Sequence, residues 1–413
     1  MSKPEQSTRS IKSTVADLAI FGGTPAFAEA LHVGRPNIGD KQRLAERIDD
    51  ILERRWLTND GRYVKELEQR IADFVGVKHC IAMCNATVAL EIAIRALELK
   101  GEVIVPSFTF VATAHALQWQ QIVPVFCDID SETHNIDPTR VEELITKDTT
   151  GIIGVHVWGR ACDTDALSEV ARRNNLRLIY DAAHAFACSH QGRMIGGFGD
   201  AEVFSFHATK FFNTFEGGAV TTNDDELATK IRLMKNFGFA GYDQVTYIGT
   251  NGKMSEVSGA MGLTSLESLT DFIETNRVNY QHYRNGLAAV ANVSLLTFAE
   301  DEKYNYQYVV MMLGETGGGL SRDQLVEVLH AENVIARRYF YPGCHRMEPY
   351  RSEYPDAGLK LPITESLAER VVVLPTGTAV SSQQISDICD LIKWITANGA
   401  EVHDRLEGRE RLQ

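Results

Sequence analysis

Short apolar segments alternate with helical segments through the middle of the chain, and this alternation constrains the fold more than any other feature. Five such segments are bounded by Pro, Gly or Asp: Glu102–Val105, Val123–Phe126, Gly151–Val157, Arg177–Tyr180 and Glu202–Phe206. Each has the length of a strand that is buried on both faces. The pattern predicts an α/β fold in which helices flank a mostly parallel central sheet. Ligands of such folds bind at the carboxyl ends of the strands, so the residues that follow each segment are candidates for chemistry.

The chain has 413 residues, more than one hydrophobic core usually supports. We expect an N-terminal arm at residues 1–35, mobile over 1–17, a large cofactor-binding domain at 36–270 and a smaller α+β domain at 271–413. Helical periodicity also predicts helices at about 41–56 and 63–75. The small domain is predicted from four segments: the helices Phe272–Leu287, Arg322–Ala331 and Ser382–Asn398, and the strand-like Tyr306–Leu313.

Composition argues against several classes of protein. The formal net charge of −14 disfavours a nucleic-acid partner, which needs a basic face. No segment is apolar enough to suggest a membrane span or a signal peptide. The seven cysteines are scattered and form no C-x-x-C pair, so we expect reduced thiols, no metal site and a cytoplasmic location.

Two turns carry candidate cofactor contacts. Asn85, Ala86 and Thr87 open the helical segment 88–97, and the free N–H groups of a helix start suit a phosphate. A plain helix cap is the alternative interpretation. Phe110 follows the strand segment Glu102–Val105 and is placed to stack on a flat ring, although a core position is equally compatible with the sequence.

Three further residues could carry the reaction. Asp181 ends a buried segment, where a carboxylate needs a cation such as a protonated pyridine nitrogen or a structural partner. His184 could orient that carboxylate or a phenolate, or be structural. Lys210 follows Ser205 by five residues and is flanked by phenylalanines, which disfavour its charge and favour a nucleophilic amine. A hydrolase built from Ser205, His184 and Asp181 is disfavoured because the G-x-S-x-G elbow is missing.

Taken in order, these motifs resemble those of the DegT/DnrJ/EryC1/StrS family of nucleotide-sugar aminotransferases. The resemblance rests on the Asn85–Thr87 turn, Pro106–Phe110, Asp181–His184, Ser205–Lys210 and Glu216–Gly218, and it spans about residues 20–395. The family's usual serine-glycine-threonine turn is replaced here by Asn85-Ala86-Thr87. The resemblance implies a fold-type I transferase that uses pyridoxal 5'-phosphate (PLP) and works as a homodimer with shared active sites.

The resemblance also implies a role for each candidate. Lys210 would carry PLP covalently, Asp181 would pair with the pyridine nitrogen, and Phe110 would stack on the ring, with His184 beside them. The remaining candidates would bind phosphate or sugar nucleotide: Ala86, Thr87 and Ser205 together with Asn251 of the partner subunit for the phosphate, and Lys253 and His345 for the sugar nucleotide.

The implied reaction is transamination of a dTDP-4-keto-6-deoxyhexose at C4, giving dTDP-4-amino-4,6-dideoxy-D-glucose with L-glutamate as the expected amino donor. Three alternatives stay open at this point: amination at C3, a galacto-configured C4 product, and a non-catalytic regulator on the same scaffold. Retention of Lys210 disfavours the dehydratase branch of the family, in which histidine replaces this lysine.

Overall fold

Seven strands form the central sheet in the computed structural model of the chain, which describes residues 12–314 and 319–410. The sheet order is β1-β7-β6-β5-β4-β2-β3. Strand β7 pairs antiparallel with both of its neighbours, and the other pairs are parallel. The strands are β1 His79–Met83, β2 Glu102–Pro106, β3 Val123–Cys127, β4 Thr149–Val155, β5 Arg177–Asp181, β6 Ala201–Ser205 and β7 Gly218–Thr222.

Helices cover both faces of this sheet and continue through the C-terminal part of the chain. Two buried apolar clusters, one on each face, explain why the strand sequences are apolar nearly throughout. The prediction of an α/β fold with helices around a mostly parallel sheet is confirmed. The helices are α1 Lys41–Arg54, α2 Arg62–Val75, α3 Ala86–Ala96, α4 Ala112–Gln118, α5 Pro138–Leu144, α6 Thr164–Asn174, α7 Asp225–Met234, α8 Glu256–Glu267, α9 Leu269–Leu287, α10 Arg322–Ala331, α11 Tyr350–Glu353, α12 Pro362–Ala368, α13 Ser382–Ala397 and α14 Gly399–Glu410.

A second, antiparallel sheet contains three strands, β8 Val293–Leu295, β9 Val309–Leu313 and β10 Val371–Leu374, in the order β8-β9-β10. The strand expected at Tyr306–Leu313 begins only at Val309. Tyr306 has a φ of 49°, a left-handed conformation that interrupts an extended strand. The division into domains at residues 35 and 270 remains a prediction.

The expected N-terminal arm packs against the C-terminal elements over the part that the structure describes. Val15 and Leu18 are buried in the same apolar cluster as α10 and α13. Buried Glu332 accepts hydrogen bonds from the backbone N–H groups of Ala19 (2.8 Å) and Ala26 (2.6 Å) and pairs with Lys12 at 2.8 Å. The expectation of mobility is therefore wrong for residues 12–17, and residues 1–11 lie outside the described residues. Within the described ranges, none of the helices has the length and apolar character that a membrane span requires.

Candidate functional site

The predicted phosphate turn lies at the start of α3, directly after β1. Asn85 is the N-cap, and its side-chain oxygen accepts a hydrogen bond from the N–H of Val88 at 2.8 Å. The cap satisfies that donor and leaves Ala86 and Thr87 in the first turn of the helix. The cap interpretation is confirmed for Asn85, and the phosphate contact stays a prediction that is compatible with it, because a capped helix still offers N–H groups and a positive dipole end to an anion.

Glycines allow two strands and this helix start to approach one another closely. A Cβ at Gly218 would lie 2.6 Å from the backbone nitrogen of Ala86, and one at Gly217 would lie 2.0 Å from Oγ1 of Thr214. Gly218 also pairs with Ser205 across β7 and β6. Three of the four predicted phosphate contacts, Ala86, Thr87 and Ser205, are thus brought together. This arrangement requires glycine at position 218, because a Cβ there would clash with the backbone of Ala86.

Asp181 lies at the carboxyl end of β5 and is buried. Its Oδ2 accepts a hydrogen bond from the hydroxyl of Thr113 at 2.8 Å, and its Oδ1 accepts one from the N–H of Ala183 at 3.1 Å. Burial raises the pKa of Asp181, while these hydrogen bonds and the positive charge of Lys210 oppose that rise. A fixed, buried carboxylate of this kind favours a cationic partner in the pocket.

Lys210 lies in the loop after β6, and its side chain is half-buried. The Nζ atom donates a hydrogen bond to the hydroxyl of Tyr308 at 3.1 Å. Burial lowers the pKa of Lys210 from 10.5 to about 8, although Tyr339 and Asp181 act in the opposite direction. The free amine is therefore far more abundant near neutral pH than it is for a solvated lysine, which suits a nucleophile or a general base.

His184 is buried in an aromatic cluster beside Lys210. Its ring centroid lies 4.5 Å from that of Tyr308, and it stacks on Trp158 and Phe340 at 5.9 and 5.7 Å. The backbone N–H of Trp158 donates a hydrogen bond to Nδ1 of His184 at 3.3 Å. Burial and the charge of Lys210 lower the pKa of His184, so the ring is neutral and carries its proton on Nε2. A neutral Nε2–H can donate to an oxygen anion such as a phenolate.

Phe110 is 60% exposed, so its ring is free to cover a planar group. The turn that carries it is joined to Asp181 through a chain of hydroxyls. Oγ1 of Thr109 lies 3.0 Å from Oγ1 of Thr113, which in turn donates to the carboxylate. The stacking position and the carboxylate are therefore positioned by one connected network.

His345 contacts the same turn at Ser107, and both of its ring nitrogens have a hydrogen-bond partner. Nδ1 is 2.7 Å from the hydroxyl of Ser107, and Nε2 is 2.5 Å from the carboxylate of Glu365. This arrangement fastens the turn at Ser107 to the segment around His345. The contact between His345 and the sugar nucleotide stays a prediction, and it would require one of these two hydrogen bonds to be exchanged.

Asn251 and Lys253 lie together beside the phosphate turn of their own chain. The amine of Lys253 donates to Oδ1 of Asn251 at 2.6 Å. The carbonyl of Gly252 accepts a hydrogen bond from the N–H of Cys84, the residue that precedes the turn, at 2.8 Å. Asn251 is exposed. Its role in the partner's pocket stays a prediction.

Tyr308, Thr113 and Trp158 each contact a predicted site residue but were not predicted from the sequence. Tyr308 precedes a strand of the second sheet and is 98 positions away from Lys210. The only signal in the sequence was the run of alternating tyrosines at 304, 306 and 308, which is equally typical of a core strand.

These residues fit PLP by their chemistry. The helix start with Ala86, Thr87 and Ser205 could hold a phosphate, Asp181 could pair with a protonated ring nitrogen, and Phe110 could cover the ring. Lys210 supplies an amine of lowered pKa. Among the described residues, no group of three His, Cys, Asp or Glu side chains could hold a metal ion.

Comparison with known proteins decides the class. The family model described as "DegT/DnrJ/EryC1/StrS aminotransferase family" matches residues 39–393. The chain belongs to this family. Its members depend on PLP, and PLP is the cofactor of this aminotransferase. The resemblance that the sequence motifs indicated is confirmed.

Individual relatives agree with this placement. A dTDP-4-amino-4,6-dideoxy-D-glucose transaminase of Shigella dysenteriae is 38% identical over 88% of this chain and 99% of the relative. A GDP-perosamine synthase of Caulobacter vibrioides is 34% identical over 87% and 96%. The crystal structure of DesI in the presence of its TDP-sugar product superposes with a TM-score of 0.91, at 48% identity, over 95% of this aminotransferase and 100% of DesI.

Replacing Tyr308 with Phe removes the hydroxyl that accepts the Lys210 hydrogen bond while leaving the ring in place. We expect Tyr308→Phe to lower kcat about 10-fold, the value of one hydrogen bond that orients the amine, and to leave PLP bound. The matched control is Tyr306→Phe, because Tyr306 lies two residues away in the same run of tyrosines and is not the acceptor of the Lys210 hydrogen bond. Steady-state rates and the absorbance of bound PLP measure both. Equal rates for Tyr308→Phe and wild type would show that this contact has no catalytic role.

Proposed function

We propose that this aminotransferase transfers an amino group from L-glutamate to C4 of dTDP-4-keto-6-deoxyglucose, giving dTDP-4-amino-4,6-dideoxy-D-glucose. The observation that carries the proposal is the half-buried Lys210 amine of lowered pKa, which is near enough to the fixed, buried carboxylate of Asp181 for the two charges to interact. The choice of sugar is supported by the relative that is named for this product and by the similarity to DesI along almost the whole chain.

Different residues of the site have different roles in the proposed reaction. When bound, PLP supplies an electron sink for negative charge at the carbon that bears the amino group. Asp181 keeps the ring nitrogen protonated, and the hydrogen bonds from Thr113 and Ala183 hold its carboxylate in place. Lys210 removes the proton from the α-carbon of the donor and later delivers one to C4 of the sugar. Delivery from a single face sets one configuration at C4.

Surrounding residues exclude water and position the reacting groups. The buried rings of Trp158, Tyr308 and Phe340 pack around His184 next to Lys210. Their burial keeps the local dielectric low, which strengthens the pairing of Asp181 with a cation. Neutral His184 would donate from Nε2 to the phenolate oxygen of bound PLP.

The product assay tests the proposed reaction directly. Incubation of the PLP-loaded enzyme with dTDP-4-keto-6-deoxyglucose and L-glutamate should yield one amino sugar, with the amino group equatorial at C4 by NMR coupling constants. Lys210→Ala is the matched control and should give no product, because the amine that moves the proton is gone. An axial amino group or amination at C3 would contradict the assigned substrate position. A wild-type chain that binds PLP but forms no amino sugar would favour the alternative of a non-catalytic regulator on the same scaffold.

We infer that the working unit is a homodimer in which Asn251 completes the phosphate site of the partner subunit. Large apolar side chains are exposed around the loop that carries it, including Tyr242 (fully exposed), Ile248 (75%) and Trp119 (81%). Ile248 and Trp119 line one cleft. A surface of this kind supports contact with a second copy of the chain.

Mixing two defective variants distinguishes an active site built from two subunits from one built within a single subunit. Lys210→Ala supplies intact Asn251, and Asn251→Ala supplies intact Lys210, so a mixed dimer has one complete pocket only if Asn251 acts across the interface. We expect activity to return on mixing, approaching one quarter of that of wild type if subunits exchange at random, as measured by amino-sugar formation. If exchange is verified by mass spectrometry and activity stays at the level of the separate variants, Asn251 serves its own chain, as its proximity to Cys84 would allow.

A further inference from the structure

Two adjacent arginines between α10 and the second sheet differ in their partners. The guanidinium of Arg338 pairs with Asp323 at 3.0 Å and lies 5.3 Å from the ring centroid of Tyr341. Arg337 forms no ion pair within residues 12–314 and 319–410, and its guanidinium lies 5.6 Å from the ring centroid of Tyr339. One cation is therefore neutralised by a carboxylate, and its neighbour is available to an external anion.

Aromatic contacts lead from Arg337 to the reacting amine. The ring of Tyr339 lies 5.8 Å from that of Tyr308, whose hydroxyl accepts the hydrogen bond from Lys210. The positive charge of Arg337 also acts on the buried hydroxyl of Tyr308. Burial raises the pKa of Tyr308, and the guanidinium opposes that rise. Arg337 is exposed, so its charge can also be reached from solvent.

The backbone of Arg337 is fixed by two hydrogen bonds, so its side chain always starts from the same position. Its N–H donates to the carbonyl of Val373 at 3.0 Å, and its carbonyl accepts from the N–H of Val373 at 2.8 Å. These two bonds tie it to β10 of the second sheet. A pre-organised cation loses less conformational entropy on binding a ligand than one on a mobile loop.

An amino-acid donor brings a carboxylate into a pocket that already contains the carboxylate of Asp181. Neutral His184 cannot offset a second negative charge, and Lys210 is committed to the cofactor and to proton transfer. A guanidinium is the side chain best matched to a carboxylate, because it offers two parallel N–H donors. We propose that Arg337 binds a carboxylate of the amino-acid donor, a role that rests on the aminotransferase function proposed above.

Arg35 is the other cation that the structure places close to the Lys210 loop. It follows Gly34, which packs so closely on Thr209 that a Cβ at Gly34 would lie 3.0 Å from the carbonyl oxygen of Thr209. Arg35 is exposed, but no contact of its guanidinium with the aromatic cluster is found among the described residues. Its substitution therefore serves as a second comparison beside Arg338.

Glutarate tests this role without turnover, because it has both carboxylates of glutamate but no amine to react. Calorimetric titration of the PLP-loaded dimer with glutarate should give a Kd that is about 10-fold or more weaker for Arg337→Gln than for wild type. Arg337→Lys should recover part of the affinity. Arg338→Gln and Arg35→Gln should bind as wild type does, and dTDP should bind equally to all variants. The KM for glutamate should follow the glutarate affinities, with the KM for the keto sugar unchanged.

Several results would overturn the assignment: unchanged glutarate affinity in Arg337→Gln, loss in Arg35→Gln instead, or a parallel loss of dTDP affinity that would place Arg337 at the diphosphate. Absence of glutarate binding to wild type would also count against it. Failure of the proposed function has a different signature, since wild type would then bind glutarate in an Arg337-dependent manner and yet form no amino sugar. Circular dichroism spectra verify that each variant is folded.

Discussion

Burial of the Lys210 amine is the constraint on which the rest of the site depends. An ammonium group withdrawn from water is destabilised, and Tyr339 and Asp181 compensate only in part, while the hydroxyl of Tyr308 accepts one hydrogen bond from the amine. The amine is therefore poised between its two protonation states near neutral pH, as a group that must accept and return protons requires. A fully compensating carboxylate contact would have stabilised the ammonium and removed that property.

The position of this amine requires both sheets. Asp181 is the last residue of β5 and Lys210 follows β6 of the central sheet, whereas Tyr308 directly precedes β9 of the second sheet. His184 is held between the two by stacking on Trp158 and Phe340 and by the carbonyl contacts that its backbone makes with Asn305 and Gln307, at 2.9 and 2.7 Å. Small shifts between the two sheets would thus alter the proton-handling group directly, and the dense aromatic packing resists such shifts.

Much of this could be predicted from the sequence, because the determinants are local. Fully buried parallel strands need continuous apolar segments, and all five predicted segments are strands whose ends shift by only one or two residues. The segment Gly151–Val157 has the right length but is shifted by two residues, because β4 begins at Thr149 and ends at Val155 and the chain then turns, with Trp158 at a φ of 63°. Strands β1 and β7 were missed. Strand β7 contains Gly218, Thr221 and Thr222, a composition that propensity does not separate from a loop.

The contacts that tune the site could not be predicted, because they join residues far apart in the sequence. The tyrosine on Lys210 and the threonine on Asp181 act through geometry that only the folded chain creates. The contact of His345 with the sugar nucleotide stays a prediction, and tertiary packing that the sequence did not reveal engages both of its ring nitrogens with Ser107 and Glu365. Residue type alone did not separate a ligand contact from a structural one.

The pH dependence of cofactor attachment tests the account most directly. Apoenzyme mixed with PLP at a series of pH values should form the covalent linkage at a rate that rises through a midpoint of about 8 and then levels off, because only the unprotonated amine attacks. Lys210→Ala should show no such linkage, and peptide mapping after borohydride reduction should place the cofactor on Lys210. A midpoint near 10.5, the value of a solvated lysine, or attachment to another lysine, would contradict the account.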